Sequence, residues 1–306
     1  MTAPAIRLTD VSRRFGRTIA LADVSVEVPA GIVCGLLGRN GAGKTTLMSI
    51  LAGHDRPSSG SVEVLGSDPF EHAAVMGSIS LIRDNQRYPE DFKLKHVLRV
   101  APRFHERWDA QLAAELVDAF RLPSRPQVKK MSRGQQSGLG IVIGLASRAP
   151  LTVFDEPYLG LDATARRIFA DRLLATRLDA TDARTIVLST HLIDEMEQLL
   201  DHVVILDSGR LVRSGSTEEV TAGAHSLSGP AEAVGRLVAG RTPLSAHRVG
   251  GLLSLVFAGE APPALAAEAR AAGVQLAPVG LQDLVAAFGD VQPASTTGSS
   301  RQEAAA

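Results

Sequence analysis

The sequence predicts an α/β fold, a mixed sheet flanked by helices, followed by a small α+β unit. Over residues 5–222, short apolar runs that suit buried strands alternate with helix-like runs and turn signals. One such strand leads into a glycine-rich loop, and another ends in two acids. Beyond residue 222, smaller apolar patches are punctuated by proline and glycine, which is typical of a separate compact unit.

The glycine-rich loop spans residues 38–46 and reads GRNGAGKTT. It fits G-x-x-x-x-G-K-[ST] and lies between a predicted strand at 32–37 and a predicted helix at 47–53. Backbone N–H groups of such a loop curl around an anion, and the helix N-terminus adds partial positive charge. Lys44 is expected to reach the β- and γ-phosphates, and Thr45 to place its hydroxyl on Mg²⁺. The predicted nucleotide contacts in this loop are Gly38, Asn40, Gly41, Gly43, Lys44, Thr45 and Thr46.

The acid pair closes an apolar strand, residues 151–157, which reads LTVFDEP. Asp155 is placed to hold Mg²⁺ through water, and Glu156 to polarise a water for attack on the γ-phosphate. A solvated acid pair is the alternative interpretation. That interpretation does not explain why an apolar run leads directly into the acids or why a proline follows them.

Three further segments follow in a fixed order. Residues 131–135, here called the signature segment, read MSRGQ and precede a helix-like run at 137–147, for which Ser132 could also be a simple N-cap. Residues 160–162 read GLD, and residues 189–191 read STH after a strand at 185–188. Together with the loop and the acidic strand, these segments resemble the ATP-binding cassette (ABC) ATPases. The resemblance covers residues from about 5 to 222.

The resemblance implies roles for residues that spacing alone does not assign. Glu156 corresponds to the general base, and His191 to the switch histidine near the γ-phosphate. Two cassettes are expected to sandwich two ATP molecules with Mg²⁺. In that sandwich one subunit contributes the signature and D-loop residues Ser132, Gly134, Gln135 and Asp162. Phe15 matches the aromatic side chain that stacks on adenine.

Two positions depart from the family pattern. The usual signature is L-S-G-G-Q, whereas Met131 and Arg133 stand here in place of the leucine and the first glycine. Family members also carry a glutamine just after the strand predicted at 78–83, where it meets Mg²⁺ and the attacking water. Gln86 is the predicted residue for this catalytic and metal-binding position, and Asp84 fits the alignment about as naturally.

Composition restricts the class of protein. The chain has 306 residues, 45% of them hydrophobic, and a net charge of −1 without a basic stripe, so nucleic acid is not expected as a partner. The single cysteine, Cys34, allows no disulfide framework. No apolar stretch of about 18 residues suggests a spanning helix, and the N-terminus lacks a signal pattern. We expect a protein that stays in the cytoplasm.

The predicted organisation has three parts. Residues 1–222 form the ATPase domain, in which a helical subdomain at about 87–148 meets a membrane partner by family analogy. Residues 223–290 predict strand–helix–strand–strand–helix–strand with a closing helix, a ferredoxin-like plait without catalytic residues. A regulatory, dimerising or purely structural role is open for this unit. Residues 291–306 are rich in Ser, Thr, Gly and Ala and are expected to be disordered.

The function expected from these features is the nucleotide-binding subunit of a bacterial ABC transporter, of export type. Its expected partners are separately encoded permease subunits and a second ATPase subunit, identical or different, at the inner face of the membrane. The excess of arginine over lysine suggests an actinobacterial source. A soluble ABC ATPase of translation or DNA repair is one alternative, but it would have two cassettes or long heptad inserts. A non-hydrolysing regulatory module is another, but Lys44, Glu156 and His191 are all present.

Overall fold

The computed structural model describes residues 3–179, 183–238 and 240–290. A central six-stranded sheet has the order β5-β6-β7-β3-β8-β9, with β9 antiparallel to β8 and the other neighbours parallel. Its strands are β3 (Val33–Leu37), β5 (Ile79–Ile82), β6 (Leu151–Asp155), β7 (Thr185–Ser189), β8 (His202–Asp207) and β9 (Arg210–Ser216). The mixed sheet predicted from the sequence is confirmed.

The central strands are buried on both faces, which is why they read as continuous apolar runs. Successive residues point to opposite faces, so Leu36 and Leu37 of β3 belong to two different cores. One face is covered by α1 (Lys44–Leu51) and by an antiparallel sheet of order β2-β1-β4. The strands of that sheet are β1 (Ile6–Phe15), β2 (Thr18–Val28) and β4 (Ser59–Val64).

Helices cover the other face. The longest are α5 (Arg133–Ala146) and α6 (Ala163–Leu178). Two glycines bring α5 close to the sheet: a Cβ at Gly140 would lie 2.7 Å from Ile82, and one at Gly144 would lie 2.5 Å from the Phe154 ring. The other α-helices in the described part of residues 3–222 are α2 (Ala73–Gly77), α3 (Leu94–Val100), α4 (Ala110–Ala119), α7 (Ile193–Met196) and α8 (Thr217–Ala222).

The predicted helical subdomain contains α3, α4 and α5. Helix α4 begins at Ala110, because the Asp109 carboxylate accepts a hydrogen bond from the Leu112 N–H at 2.9 Å and caps the helix. Helix α5 begins at Arg133, four residues earlier than the apolar periodicity predicted. Its first turn is polar and is held by a capping box: the Ser132 hydroxyl accepts from the Gln135 N–H, and the Gln135 side chain accepts from the Ser132 N–H.

The C-terminal unit contains an antiparallel sheet of order β11-β12-β10-β13 with two helices on the connections. Its elements follow the predicted order and have their own small apolar core. The assignment as a ferredoxin-like plait stays a prediction. The elements are β10 (Ala224–Pro230), α9 (Ala231–Leu237), β11 (Ser245–Val249), β12 (Leu252–Ala258), α10 (Leu265–Ala271), β13 (Gln275–Pro278) and α11 (Leu281–Asp290). The tail predicted to be disordered lies outside the described residues.

The closing helix α11 does not stay within the C-terminal unit. Leu281, Leu284 and Val285 form one apolar stripe and are buried in the same core as Ile193 and Met196 of α7. A boundary at residue 222 therefore divides a continuous core, and the unit predicted as separate contributes a helix to the ATPase part. Among the described residues, no helix has the length and apolar character needed to cross a membrane.

Candidate nucleotide site

The phosphate loop lies between β3 and α1, at the edge of the sheet where the parallel strands end. Its conformation requires glycine at Gly43, which has φ of 100° and ends the loop directly before the first helical residue, Lys44. A Cβ there would lie 2.6 Å from the Ala20 carbonyl oxygen. The loop therefore packs closely on β2 and presents its backbone N–H groups at a helix N-terminus, an arrangement that binds anions.

Lys44 is only 8% exposed, and its Nζ donates hydrogen bonds to the carbonyl oxygens of Gly38 at 2.7 Å and Arg39 at 3.2 Å. Burial lowers the pKa of Lys44, and the negative charges of Glu156 and Asp155 oppose that shift. The ammonium group is thus held against its own loop, beside the two acids. A triphosphate would offer it stronger, charged acceptors than these carbonyls.

Asp155 is the last residue of β6 and faces the loop. Its Oδ2 accepts from the Thr45 hydroxyl at 3.4 Å, and its Oδ1 accepts from the Ser189 hydroxyl at 2.9 Å. Burial raises the pKa of Asp155, and the charges of Glu156 and Asp84 add to the rise, whereas the Ser189 hydrogen bond and Lys44 oppose it. The carboxylate therefore sits in a place that favours a nearby cation.

Glu156 has φ of 49°, the left-handed region that is uncommon for a residue with a side chain. Its N–H donates to the Ser189 hydroxyl at 3.0 Å, and its Oε2 lies 2.7 Å from Nδ1 of His191. The turn after β6 thus directs the Glu156 side chain toward the histidine that follows β7. Ser189 was singled out from the sequence only as part of the segment STH. In the structure its hydroxyl forms hydrogen bonds with both Asp155 and Glu156.

The phosphate loop and both acids line a cleft of about 360 Å³, and His191 contacts one of these acids, Glu156. The predicted residues that line it are Asn40, Gly41, Gly43, Lys44, Thr45, Thr46, Asp155 and Glu156. Asp84 lines it as well, together with Thr18, Ile19, Ala20 and Ala42. Its donors for a metal are hydroxyl and carboxylate oxygens, which suit Mg²⁺, an ion that keeps several waters and takes one or two carboxylates plus substrate phosphates. Among the described residues, no group of three or more His, Cys, Asp or Glu side chains is arranged to hold a metal ion.

Gln86, the residue predicted for the catalytic and metal-binding position, does not line this cleft. Its side chain accepts a hydrogen bond from the Arg83 N–H at 3.4 Å and faces a different, apolar groove. Asp84, the alternative, lines the nucleotide cleft instead. Asp84 and Gln86 face different clefts because the chain turns after β5. Counting residues from the end of the strand does not reveal this turn.

The remaining predicted residues lie outside this cleft. Phe15 is 49% exposed at the end of β1, and the Arg13 guanidinium lies 4.5 Å from its ring centroid. Ser132, Gly134 and Gln135 form the first turn of α5, where Gly134 packs against Gly160 so closely that no Cβ would fit. Asp162 caps α6 by accepting from the Ala165 N–H at 2.8 Å.

Comparisons with known proteins agree with this geometry. Residues 21–159 match the ABC transporter family. The chain is 31% identical over 227 residues to the Nod factor export ATP-binding protein I of Cupriavidus metallidurans, with 72% of this chain and 73% of that protein covered. It is 32% identical over 228 residues to the daunorubicin resistance ATP-binding protein DrrA3 of Streptomyces coeruleorubidus, with 72% and 71% covered.

Among solved structures, the ATP binding subunit of an ABC transporter superposes with a TM-score of 0.64 at 26% identity and covers 71% of this chain and 91% of that one. An import protein is also among the relatives: the ribose import ATP-binding protein RbsA of Pseudomonas putida is 33% identical over 239 residues, but only 46% of its length is covered. The chain belongs to the ABC transporter ATP-binding family. It is an ATPase, as the sequence predicted.

Proposed function

We propose that this chain hydrolyses MgATP to drive an exporter whose membrane-spanning permease is encoded separately. The observation that carries the proposal is the cleft in which the phosphate loop, Asp155 and the Glu156–His191 pair converge. Two such subunits, identical or different, would close around two ATP molecules at the cytoplasmic face of the membrane.

The phosphate loop would bind the triphosphate. Its N–H groups and the N-terminus of α1 attract the anion, and Lys44 would exchange its two carbonyl acceptors for phosphate oxygens. Phe15 pairs with Thr18 across the turn between β1 and β2, and Thr18 and Ile19 line the cleft. The Phe15 ring would therefore lie beside the cleft, where it could stack on adenine. The Arg13 guanidinium already covers one face of that ring, which leaves the other face for stacking.

Thr45 and Asp155 would hold Mg²⁺, which neutralises phosphate charge when it is bound. The Thr45 hydroxyl and the Asp155 carboxylate are already in contact across the cleft. Of the two candidates after β5, only Asp84 lines this cleft, and its carboxylate is paired with Arg133.

Glu156 would orient and deprotonate the attacking water. The left-handed backbone conformation and the Ser189 hydrogen bond fix the position of the Glu156 backbone. The contact with His191 fixes the position of its carboxylate. Catalysis would then consist of positioning and charge stabilisation around the γ-phosphate.

The signature segment would serve the second subunit. Ser132 is exposed, Gly134 and Gln135 are half-buried, and none of them lines the cleft of its own chain. Asp162 is exposed as well, two residues after Gly160, which contacts Gly134. These positions support contact with a nucleotide bound by another subunit.

The permease would dock on an apolar groove of about 420 Å³ between β5 and the helical subdomain. Tyr88, Phe92 and Phe104 contribute to its wall, and Phe104 is 69% exposed. Phe104→Asp should therefore reduce co-purification with the permease from gently solubilised membranes and leave MgATP binding by the isolated chain unchanged. Equal permease recovery from both proteins would contradict this placement.

Export is favoured over import by the relatives. For the export and drug-resistance proteins, the alignment covers about the same fraction of this chain and of the relative. For the import protein, it covers less than half of the relative's length. The arginine-rich composition and the Streptomyces relative support an actinobacterial source.

Glu156→Gln tests the proposed chemistry. The exchange keeps the size of the side chain but removes the base, so hydrolysis should fall by about 10²–10⁴-fold. MgATP should still bind, and the closed dimer should accumulate because hydrolysis no longer opens it. Phosphate release and light scattering after size exclusion, with MgATP and with MgADP, measure the two effects. Normal hydrolysis by Glu156→Gln would contradict the role of Glu156, and hydrolysis absent from the wild-type chain with its partners would contradict the function.

A further inference from the structure

The two departures from the family pattern contact each other. Arg133 stands where the signature normally has glycine, and Asp84 stands near the position where the family has glutamine. In the structure, Nη2 of Arg133 lies 2.9 Å from Oδ1 and 2.8 Å from Oδ2 of Asp84, across 49 residues of sequence. The Asp84 side chain is 26% exposed and that of Arg133 58%. Each unusual residue thus supplies the charge that the other requires.

Asp84 needs a counter-ion because of its neighbours in the cleft. It lines the nucleotide site together with Asp155 and Glu156, and Lys44 is the cation among the lining residues. A third carboxylate there would repel the incoming triphosphate unless its charge were balanced. The family glutamine is neutral and has no such need, so the pairing with Arg133 restores the charge balance that the aspartate changes.

Arg133 has a matching reason to pair. It is the first residue of α5, and a cation at a helix N-terminus opposes the helix dipole. The backbone there cannot move away, because Gly134 packs against Gly160 and the Ser137 hydroxyl donates to the Leu159 carbonyl at 2.6 Å. The guanidinium therefore reaches from a fixed helix start to a residue of the cleft.

We propose that Arg133 is a positioning residue that neutralises Asp84 and links the start of α5 to the nucleotide cleft of the same chain. In the dimer, which this inference takes from the proposed function, the start of α5 also faces the nucleotide of the other subunit. The salt bridge between Arg133, at the start of α5, and Asp84, which follows β5, thus connects the two nucleotide sites. Its first consequence is measurable in a single subunit: Arg133 supports MgATP binding only while Asp84 carries its charge.

A double-mutant cycle with the isolated chain tests this dependence, with a fluorescent ATP analogue and Mg²⁺ as the probe. Arg133→Met should weaken binding about two- to fivefold, the range for a partly exposed ion pair. In the Asp84→Asn background, where the carboxylate charge is absent, the same Arg133→Met exchange should change affinity by much less. Raising KCl from about 0.05 M to about 0.5 M should reduce the effect of Arg133→Met in the wild-type background.

The control is Arg172→Met, which removes another arginine–carboxylate contact, 3.2 Å from Glu115 and outside the cleft. It should leave nucleotide affinity unchanged. If Asp84→Asn does not fold, as judged by its thermal melt, Asp84→Gln replaces it in the cycle. An Arg133→Met effect that is absent, or that is equally large in both backgrounds, would overturn the inference. Failure of the wild-type chain to bind MgATP would instead count against the proposed function, so the two failures are distinguishable.

Discussion

Ser189 offers a sharp test of how the two acids are positioned. Its hydroxyl is fully buried, donates to Oδ1 of Asp155 at 2.9 Å and accepts from the N–H of Glu156 at 3.0 Å. Asp155 and Ser189 are register partners on neighbouring parallel strands, so the contact is fixed by the sheet itself. Ser189→Ala removes the oxygen and keeps the rest of the side chain.

The expected loss follows from these two bonds. A hydrogen bond to a charged group contributes about 1.5–3 kcal/mol, and a buried N–H left without an acceptor costs about 1–3 kcal/mol. Glu156 would then keep its left-handed backbone with less support. If 1.5–3 kcal/mol of this support is realised in the transition state, kcat should fall roughly tenfold to hundredfold.

The pH dependence should move in a defined direction. Burial raises the pKa of Asp155, and the Ser189 hydrogen bond opposes that rise by stabilising the carboxylate. Without the hydroxyl, the pKa of Asp155 rises further, and the ionised form that Mg²⁺ requires persists only at higher pH. The acid limb of the activity profile should therefore shift to higher pH in Ser189→Ala.

Ser147→Ala is the matched control. Ser147 is also a buried serine whose hydroxyl donates one hydrogen bond, to Gly144, and accepts one, from the Ala149 N–H, but it lies at the end of α5 outside the cleft. Both variants should melt at lower temperature, and only Ser189→Ala should change kcat and the acid limb. The reasoning would be refuted if Ser189→Ala kept the wild-type kcat and pH profile while both variants lost similar stability.

Two further changes address binding and the C-terminal helix. Lys44→Met removes the buried cation and should weaken MgATP binding at least tenfold, measured by fluorescent analogue, whereas the same exchange at the exposed Lys95 should have no effect. A chain that ends after Pro278 lacks α11, whose buried leucines each contribute about 1.5–3 kcal/mol, and it should melt at lower temperature or aggregate. A chain that ends after Asp290 should melt like the full-length protein, and equal melting of both truncations would show that α11 does not stabilise the ATPase part.

The fold and most of the nucleotide site were predictable because their signals are local. Each parallel strand is a short apolar run, and the phosphate loop and the acid pair directly follow such runs, so strand ends and site residues could be placed together. The parallel sheet then brings the ends of β3, β6 and β7 to one edge. That is why residues after three separate strands, Lys44, Asp155 and His191, lie near one another in the structure.

The contacts that were not predicted connect distant parts of the chain. Asp84 and Arg133 are far apart in sequence, and nothing local indicates which of the polar residues after β5 turns inward. The docking of α11 depends on an apolar stripe whose partner is α7, and an amphipathic helix alone does not show what it packs against. The first turn of α5 is polar and lies outside the apolar run, so only the cap offered by Ser132 indicated where the helix begins.

Helix α11 also brings the C-terminal unit into direct contact with the phosphate loop. The guanidinium of Arg39, inside the phosphate loop, donates to the Gly289 carbonyl at 2.9 Å, one of the last carbonyls of a helix, which lack partners within the helix. A Cβ at Gly289 would collide with the Arg39 side chain. The same helix is buried against α7, which follows His191. One helix of the C-terminal unit therefore contacts the phosphate loop and also packs on α7, the helix that follows His191.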